Sequence, residues 1–93
     1  MVNKKIKYIR KDLDKLDNSI LNLVKKRATL VKMVLKQKKY KNQIIDKKRI
    51  KKILTNIRKR SLNKKIDPKI TNKIWKSMIY AFIDFEFRNF KKK

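Results

Sequence analysis

Apolar residues recur along the N-terminal part of the chain at alternating spacings of three and four, which is typical of an amphipathic helix or a coiled-coil seam. Arg27 occupies a position that this pattern otherwise reserves for an apolar side chain. Lys38 lies about three turns further on, at roughly 3.6 residues per turn, so we predict both cations on one face. A cation there needs an anionic partner or ligand. The apolar positions of this seam are Ile6, Ile9, Leu13, Leu16, Ile20, Leu23, Leu30 and Val34.

The seam predicts a first helix from residue 4 to about residue 40, with no Gly or Pro to interrupt it. At roughly 1.5 Å per residue this helix would be about 55 Å long. A compact chain of this size has a radius of gyration of only about 12 Å, so the helix would extend beyond its own subunit with a wet apolar seam. We therefore predict a helical homodimer formed through helix 1, with a site shared between subunits.

Two shorter helices are predicted to follow. Asp46 is a good N-cap for a second helix, which fades into a loop over residues 58–65. Asp67 followed by Pro68 marks the start of a third helix, which runs to about Phe90. The apolar stripe of helix 2 contains Ile50, Ile53, Leu54 and Ile57. The apolar residues of helix 3 available for a core are Ile70, Ile74, Trp75, Met78, Phe82 and Phe85. The pattern predicts an all-α fold, with residues 1–93 as one domain of three helices.

Composition removes several classes of function. The chain has no Cys and no His, which excludes disulfides, thiol nucleophiles and the usual zinc or haem ligand sets. No metal and no cofactor is expected. No apolar run approaches the roughly 18 residues of a membrane span, and the N-terminus lacks the apolar core of a signal peptide. We expect a cytoplasmic protein with no membrane partner.

The formal net charge of +24 favours a basic helical dimer that binds nucleic acid, the main alternative from another class. However, Lys, Ile and Asn are together so frequent that Lys is interpreted as the default solvated residue, and no specific nucleic-acid partner is expected. Arg is then the informative cation, because its planar fork binds carboxylates in a way that Lys cannot copy. The six arginines are Arg10, Arg27, Arg49, Arg58, Arg60 and Arg88.

Several polar residues fall on or beside the apolar faces, and most of them are cations. Glu86 is an acid on an otherwise apolar face of helix 3, and Asp46 lies at the start of helix 2. Four cations with few acids suit a small dianion, most naturally a dicarboxylate. With no nucleophile paired with a base, any catalysis would rely on shape and electrostatics. The four cations are Arg10, Arg27, Lys38 and Arg49.

The order of these residues resembles the all-helical chorismate mutase family, over about residues 6–90. The resemblance is carried by IRKDLDKLD at residues 9–17, LVKKR at 23–27, Lys38, DKKR at 46–49, Trp75 and Glu86. It implies an intertwined homodimer of three-helix subunits that rearranges chorismate to prephenate, in aromatic amino-acid synthesis, without a cofactor.

The resemblance also implies a role for each site residue. Arg10 would come from the neighbouring subunit to bind one substrate carboxylate, while Arg27 would bind the other and Arg49 would support the carboxylate end. Lys38 would contact a carboxylate and the ether oxygen whose bond breaks. Glu86 would be the second contact to that oxygen, acting in its protonated form as a hydrogen-bond donor.

Asp46 would lie near the ring hydroxyl of the substrate. Ile50 departs from the family pattern, because many of these mutases carry Glu at that position to help hold this hydroxyl. An apolar residue there is similar to the isochorismate pyruvate-lyase branch, which shares the fold and forms salicylate and pyruvate. The lyase reaction is therefore the alternative on the same fold.

Simpler structural interpretations stay open for single residues. Arg27 can pair with an Asp of a packed neighbour or set the register of the helix pair. Lys38 can be a solvated lysine and Arg10 a surface residue. Glu86 can pair with a nearby Lys, and Asp46 can serve only as an N-cap. The order and spacing of the whole set favour the shared site.

Overall fold

The computed structural model describes residues 3–91 and contains three α-helices in this range. They are α1 (Lys4–Gln37), α2 (Lys47–Asn63) and α3 (Pro68–Asn89), with a short 3-10 helix at Lys41–Gln43. The described residues contain no β-strand, which confirms the all-α prediction with one long N-terminal helix. They divide between Val31 and Lys32 into two compact units. Within the described range, no helix combines the length and apolarity that crossing a bilayer requires.

The first unit consists of helix alone after Asn3. The side chain of Asn3 accepts a hydrogen bond from the Lys5 N–H at 2.9 Å, which caps the start of α1. No described residue up to Val31 reaches the buried class. The apolar seam positions from residue 6 to residue 30 are exposed, from 43% at Ile6 to 62% at Leu23. A single helix buries none of its own seam, so this unit has no core within itself.

The first helix ends earlier than predicted, because a later side chain captures the next backbone donors. The Gln43 Oε1 atom accepts the N–H groups of Lys39 at 2.7 Å and of Tyr40 at 2.9 Å. These donors would otherwise continue the helical ladder. As a result α1 stops at Gln37, and Lys38 is the first residue beyond it. The prediction that Lys38 belongs to the same helix as Arg27 is wrong by one residue.

The second helix begins as predicted and extends further. The Asp46 side chain accepts the Arg49 N–H at 3.0 Å, which confirms the N-cap. The loop expected over residues 58–65 is wrong for its first six positions, since α2 continues to Asn63. The reason is Ser61, which is only 3% exposed and bonds to the Ile57 carbonyl at 2.6 Å. The charge run that suggested a loop instead forms the wet side of the helix.

The second helix ends in a Schellman motif without glycine. The Ile66 N–H donates to the Ser61 carbonyl at 2.8 Å, and the Lys65 N–H donates to the Leu62 carbonyl at 3.1 Å. Lys65 has a φ of 59°, the left-handed conformation that glycine usually adopts at this position. The chain has no glycine, so a lysine adopts this conformation despite the steric clash of its Cβ atom.

The third helix starts as predicted and packs against α2. The Asp67 side chain accepts the Lys69 N–H at 2.9 Å, and Pro68 occupies the first turn. The expected core differs in one respect. Ile70 and Ile74 are 56% and 51% exposed, because they lie about 100° around the helix from its buried face. That face contains Thr71, Ile79 and Glu86, with Trp75, Met78 and Phe82 half-buried.

Candidate functional site

The centre of the candidate site is an ion pair between Lys38 and Glu86. The Lys38 Nζ atom lies 2.8 Å from the Glu86 Oε2 atom, within hydrogen-bond distance. The two side chains are only 17% and 9% exposed, so the pair is largely shielded from water and salt. The acid on the apolar face of α3 and the cation after α1 therefore meet, as the structural interpretation of Glu86 anticipated. That a protonated Glu86 donates a hydrogen bond to a substrate stays a prediction.

The backbone that carries Lys38 is fixed on both sides. Its own N–H donates to the Leu35 carbonyl at 3.1 Å. The next two N–H groups are bound by the Gln43 side chain. Leu35 and Ile44, at 8% and 3% exposure, anchor the connection in the small core of the second unit. Gln43 was not a candidate from the sequence, although its position three residues after Tyr40 matches the spacing of a reciprocal cap.

A groove of about 560 Å³ opens beside Lys38. Its lining combines three lysines, one carboxylate and two amides around a single apolar residue. These residues are Lys38, Asn42, Gln43, Ile45, Asp46, Lys47 and Lys48. The volume lies within the roughly 300–1,000 Å³ of small-molecule sites. The excess of cations favours a small anion with hydrogen-bonding groups, which agrees with the predicted dianion.

Asp46 and Arg49 occupy neighbouring positions at the start of α2. The Asp46 carboxylate lines the groove, and one of its oxygens already accepts the Arg49 N–H. Asp46 is therefore an N-cap, and its second carboxylate oxygen is the atom available to accept a hydrogen bond from a ligand. Arg49 is exposed. Ile50, the residue that departs from the family pattern, is half-buried on the apolar stripe of α2.

The two remaining candidates lie on the first unit and differ in their surroundings. Arg10 is exposed, like the other described residues up to Lys26, and its donation to another subunit stays a prediction. Arg27 is half-buried, and its Nε atom is shielded from solvent. Its seam neighbours Leu23 and Leu30 are 62% and 60% exposed. The cation is thus the more protected side chain at this part of the seam, the reverse of the usual order.

The described residues also lack the pattern of a metal site. The described residues contain no group of three or more acidic, His or Cys side chains arranged to hold a metal ion. What they offer is positive charge beside a polar groove, with a shielded Lys–Glu pair next to it. Such an arrangement can bind a small anion and stabilise negative charge that develops on an oxygen near Lys38.

Comparison with known proteins yields one match. The family model described as chorismate mutase type II matches residues 9–87 of the chain. The matched range contains all six candidate residues and both sides of the division at Val31. No curated protein and no solved structure matches the chain significantly. The resemblance drawn from the sequence is confirmed at the level of this family.

Proposed function

Because this chain belongs to the chorismate mutase type II family, we propose that it is an isomerase that rearranges chorismate to prephenate. The observation that carries the proposal is the match over residues 9–87. The Lys38–Glu86 pair beside a cationic groove supports it. We also propose that residues 1–93 act as one chorismate mutase type II-like domain, since the match spans both compact units.

The reaction suits a site without nucleophile or cofactor. One carbon–oxygen bond of the ether breaks while one carbon–carbon bond forms, and no atom enters or leaves. Negative charge accumulates on the ether oxygen in the transition state. A fixed ammonium at that oxygen stabilises the transition state more than the substrate, which is the condition for faster turnover. Lys38 takes this role in the proposal.

Glu86 takes the role of second contact to the ether oxygen. A carboxylate would repel the developing charge, so Glu86 assists only as a protonated hydrogen-bond donor. Glu86→Gln supplies an amide donor at every pH. We therefore expect Glu86→Gln to form prephenate at least as fast as the native chain. Slower prephenate formation by Glu86→Gln would contradict the assigned role.

The substrate carboxylates are assigned to the arginines. Arg27 binds one carboxylate, the partner subunit's Arg10 binds the other, and Arg49 supports that end of the substrate. Asp46, already placed in the groove, takes the ring hydroxyl. Planar bidentate contacts explain why these positions carry Arg in a chain whose cations are mostly Lys.

The donation of Arg10 requires a homodimer, and the first unit supports one. The apolar positions of its seam are all exposed, and the unit has no core of its own. Two such helices can bury their seams against each other by knobs-into-holes packing. A two-fold arrangement creates two equivalent sites, each completed by an arginine from the other copy.

The decisive experiment offers purified protein chorismate and isochorismate in separate reactions and follows prephenate, salicylate and pyruvate. Prephenate from chorismate supports the proposal. Salicylate and pyruvate from isochorismate, without prephenate, would replace it with the lyase reaction that Ile50 suggests. Conversion of neither substrate would remove the enzyme assignment and leave the basic nucleic-acid-binding dimer.

Arg27→Ala tests the site itself. This substitution removes the guanidinium group that binds one substrate carboxylate. A desolvated carboxylate is then left without its bidentate partner, so turnover should fall below detection. Arg58→Ala is the matched control, because it removes the same side chain from an exposed position outside the candidate site. Full turnover in Arg27→Ala would place the site elsewhere, and equal losses in both variants would indicate a general effect of charge.

A further inference from the structure

The positive charge of the chain is concentrated in one segment. Residues 47–66, here called the basic segment, carry ten Lys and Arg residues and no acid. They hold +10 of the +24, which leaves +14 for the other 73 residues. Three of the six arginines also lie in this segment: Arg49, Arg58 and Arg60. Half of the residues in this segment are cations, against one third in the whole chain.

All ten cations of the basic segment are exposed. The Lys38–Glu86 and Arg88–Asp84 ion pairs both lie outside the basic segment. Ten like charges along one helix and its C-terminal turn repel one another and destabilise the fold. A polyanion would relieve that repulsion. The basic segment is flanked by Asp46 and Asp67, and these two carboxylates balance only a small part of its ten positive charges.

The helix arranges these charges on its wet side. The buried stripe of α2 faces α3, and Lys52 and Lys59 lie on the opposite side, two turns apart. Arg60 flanks them. At the end nearer α3 the surface continues into a groove of about 340 Å³, whose lining includes Arg58 and Lys69. The cations thus extend over the length of α2, about 25 Å at roughly 1.5 Å per residue.

We propose that the basic segment binds the phosphodiester backbone of duplex nucleic acid, without recognising bases. Lysines and arginines spread along an extended surface match a row of phosphates, and their binding releases condensed counterions. A duplex suits this surface better than a single strand, because no aromatic side chain is present in residues 47–66 for bases to stack on. The first residues of the segment, Lys47 to Arg49, also lie at the candidate site, so the proposal is tested on Lys52, Lys59 and Arg60, which do not.

An anionic membrane is the other partner that such charge can attract. A helix that binds membranes places large apolar side chains beside its cations. On the wet side of α2 the uncharged positions are Thr55, Asn56 and Asn63, and Leu62 is the one large apolar residue there, 54% exposed. One leucine is little apolar area for insertion. The surface therefore favours phosphates in solution.

The test measures binding of a fluorescent duplex of mixed sequence by anisotropy, from about 50 to 200 mM salt, where phosphate contacts are sensitive. The variant is Lys52→Gln, Lys59→Gln and Arg60→Gln together, which avoids every residue assigned to the substrate site. The matched control is Lys5→Gln, Lys15→Gln and Lys26→Gln, three exposed cations of α1. Both triples lower the net charge equally.

We expect the native chain to bind, and the α2 triple to bind roughly ten-fold or more weakly at 100 mM salt. Its slope of log affinity against log salt should be shallower by about 2–3, near 0.9 per lost phosphate contact. The α1 triple should change by less than about three-fold. Equal losses in the two triples would overturn the proposal, because net charge alone would then explain binding.

Two further outcomes would also overturn it. One is no binding of the duplex by the native chain. The other is binding to vesicles of anionic phospholipid without binding to the duplex, which would assign the surface to a membrane. Circular dichroism of each variant checks the fold. Prephenate formation by the α2 triple should equal that of the native chain, so failure of this proposal and failure of the proposed reaction are distinguishable.

Discussion

The two units of this small chain obtain their order in different ways. Residues 4–31 form helix with an exposed apolar seam and no buried side chain. Residues 32–91 contain a helix pair with a small core, a buried hydroxyl contact and a shielded ion pair. The first unit therefore needs a partner surface to stabilise it, whereas the second has internal contacts of its own. Changes in the first should affect assembly, and changes in the second should affect local stability or chemistry.

The largest effect is expected from a charge in the seam of the first unit. Leu16→Lys should turn the proposed dimer into monomer and lower turnover at least about 100-fold, because a buried unpaired cation costs several kcal/mol. Sedimentation velocity and prephenate formation measure the two results. Leu21→Lys is the control, with the same substitution on α1 outside the seam and similar exposure, 65% against 58%. Dimers that persist in Leu16→Lys would refute the seam as the interface.

A smaller effect is expected where the second unit holds Lys38. Gln43→Leu removes the acceptor of the Lys39 and Tyr40 N–H groups and should lower kcat about ten-fold, since a misplaced ammonium stabilises the transition state less. Gln43→Glu keeps the acceptor oxygen and should retain turnover within about three-fold. The dimer should persist in both, and Gln43→Glu alone should raise KM, because its carboxylate lines the groove proposed for the dianionic substrate. Equal loss of kcat in the two variants would show that these hydrogen bonds do not position Lys38.

The next largest effect is expected from the buried hydroxyl contact between α2 and α3. Ser61 Oγ and Thr71 Oγ1 lie 2.7 Å apart, and the two residues are 3% and 9% exposed. Ser61→Ala should lower the free energy of unfolding by about 1–2 kcal/mol, because it leaves Thr71 without this partner. Adding Thr71→Val should cost little more. Urea titrations of both single variants and the double variant give the coupling, and strictly additive effects would show that the contact contributes nothing.

The smallest effect is expected at the left-handed residue after α2. Lys65→Gly should raise the free energy of unfolding by about 0.5–1 kcal/mol, since glycine adopts a φ of 59° without a Cβ clash. Lys64→Gly is the matched control, because Lys64 has a φ of −89° and gains nothing from glycine. Thermal melts at one protein concentration compare the two. Destabilisation by Lys65→Gly would contradict the assignment of strain there.

Local signals explain which parts of the fold could be predicted. The starts of α2 and α3 follow from Asp46 and Asp67, whose side chains bond within three residues of their own position. The ends do not. The end of α1 depends on Gln43, six residues beyond its last residue, and the end of α2 depends on burial of Ser61 against Thr71. These contacts depend on tertiary packing, which cannot be predicted from the spacing of residues along the chain.

The candidate site shows the same limit. The sequence identifies Glu86 because it is out of place on an apolar face, and Lys38 because it is in helical phase with Arg27. Their 2.8 Å contact joins residues 48 positions apart, and no periodicity within one helix encodes such a distance. Gln43 was missed because it is polar, exposed and in a connection, where amides are common. The substrate roles of Arg10, Arg27, Arg49 and Asp46 stay predictions from the family.

The Lys38–Glu86 pair has a consequence for how tightly the site holds any anion. Glu86 is a resident competitor, since a ligand oxygen that reaches Lys38 must displace or share the carboxylate 2.8 Å away. A ligand must then compete with an internal anion for Lys38, and not only with water. This competition weakens the binding of substrate and product alike. Weak retention of product favours rapid release, a step that limits many enzymes. In the proposed reaction, Glu86→Gln would remove this internal anion, so substrate and product should both bind more tightly.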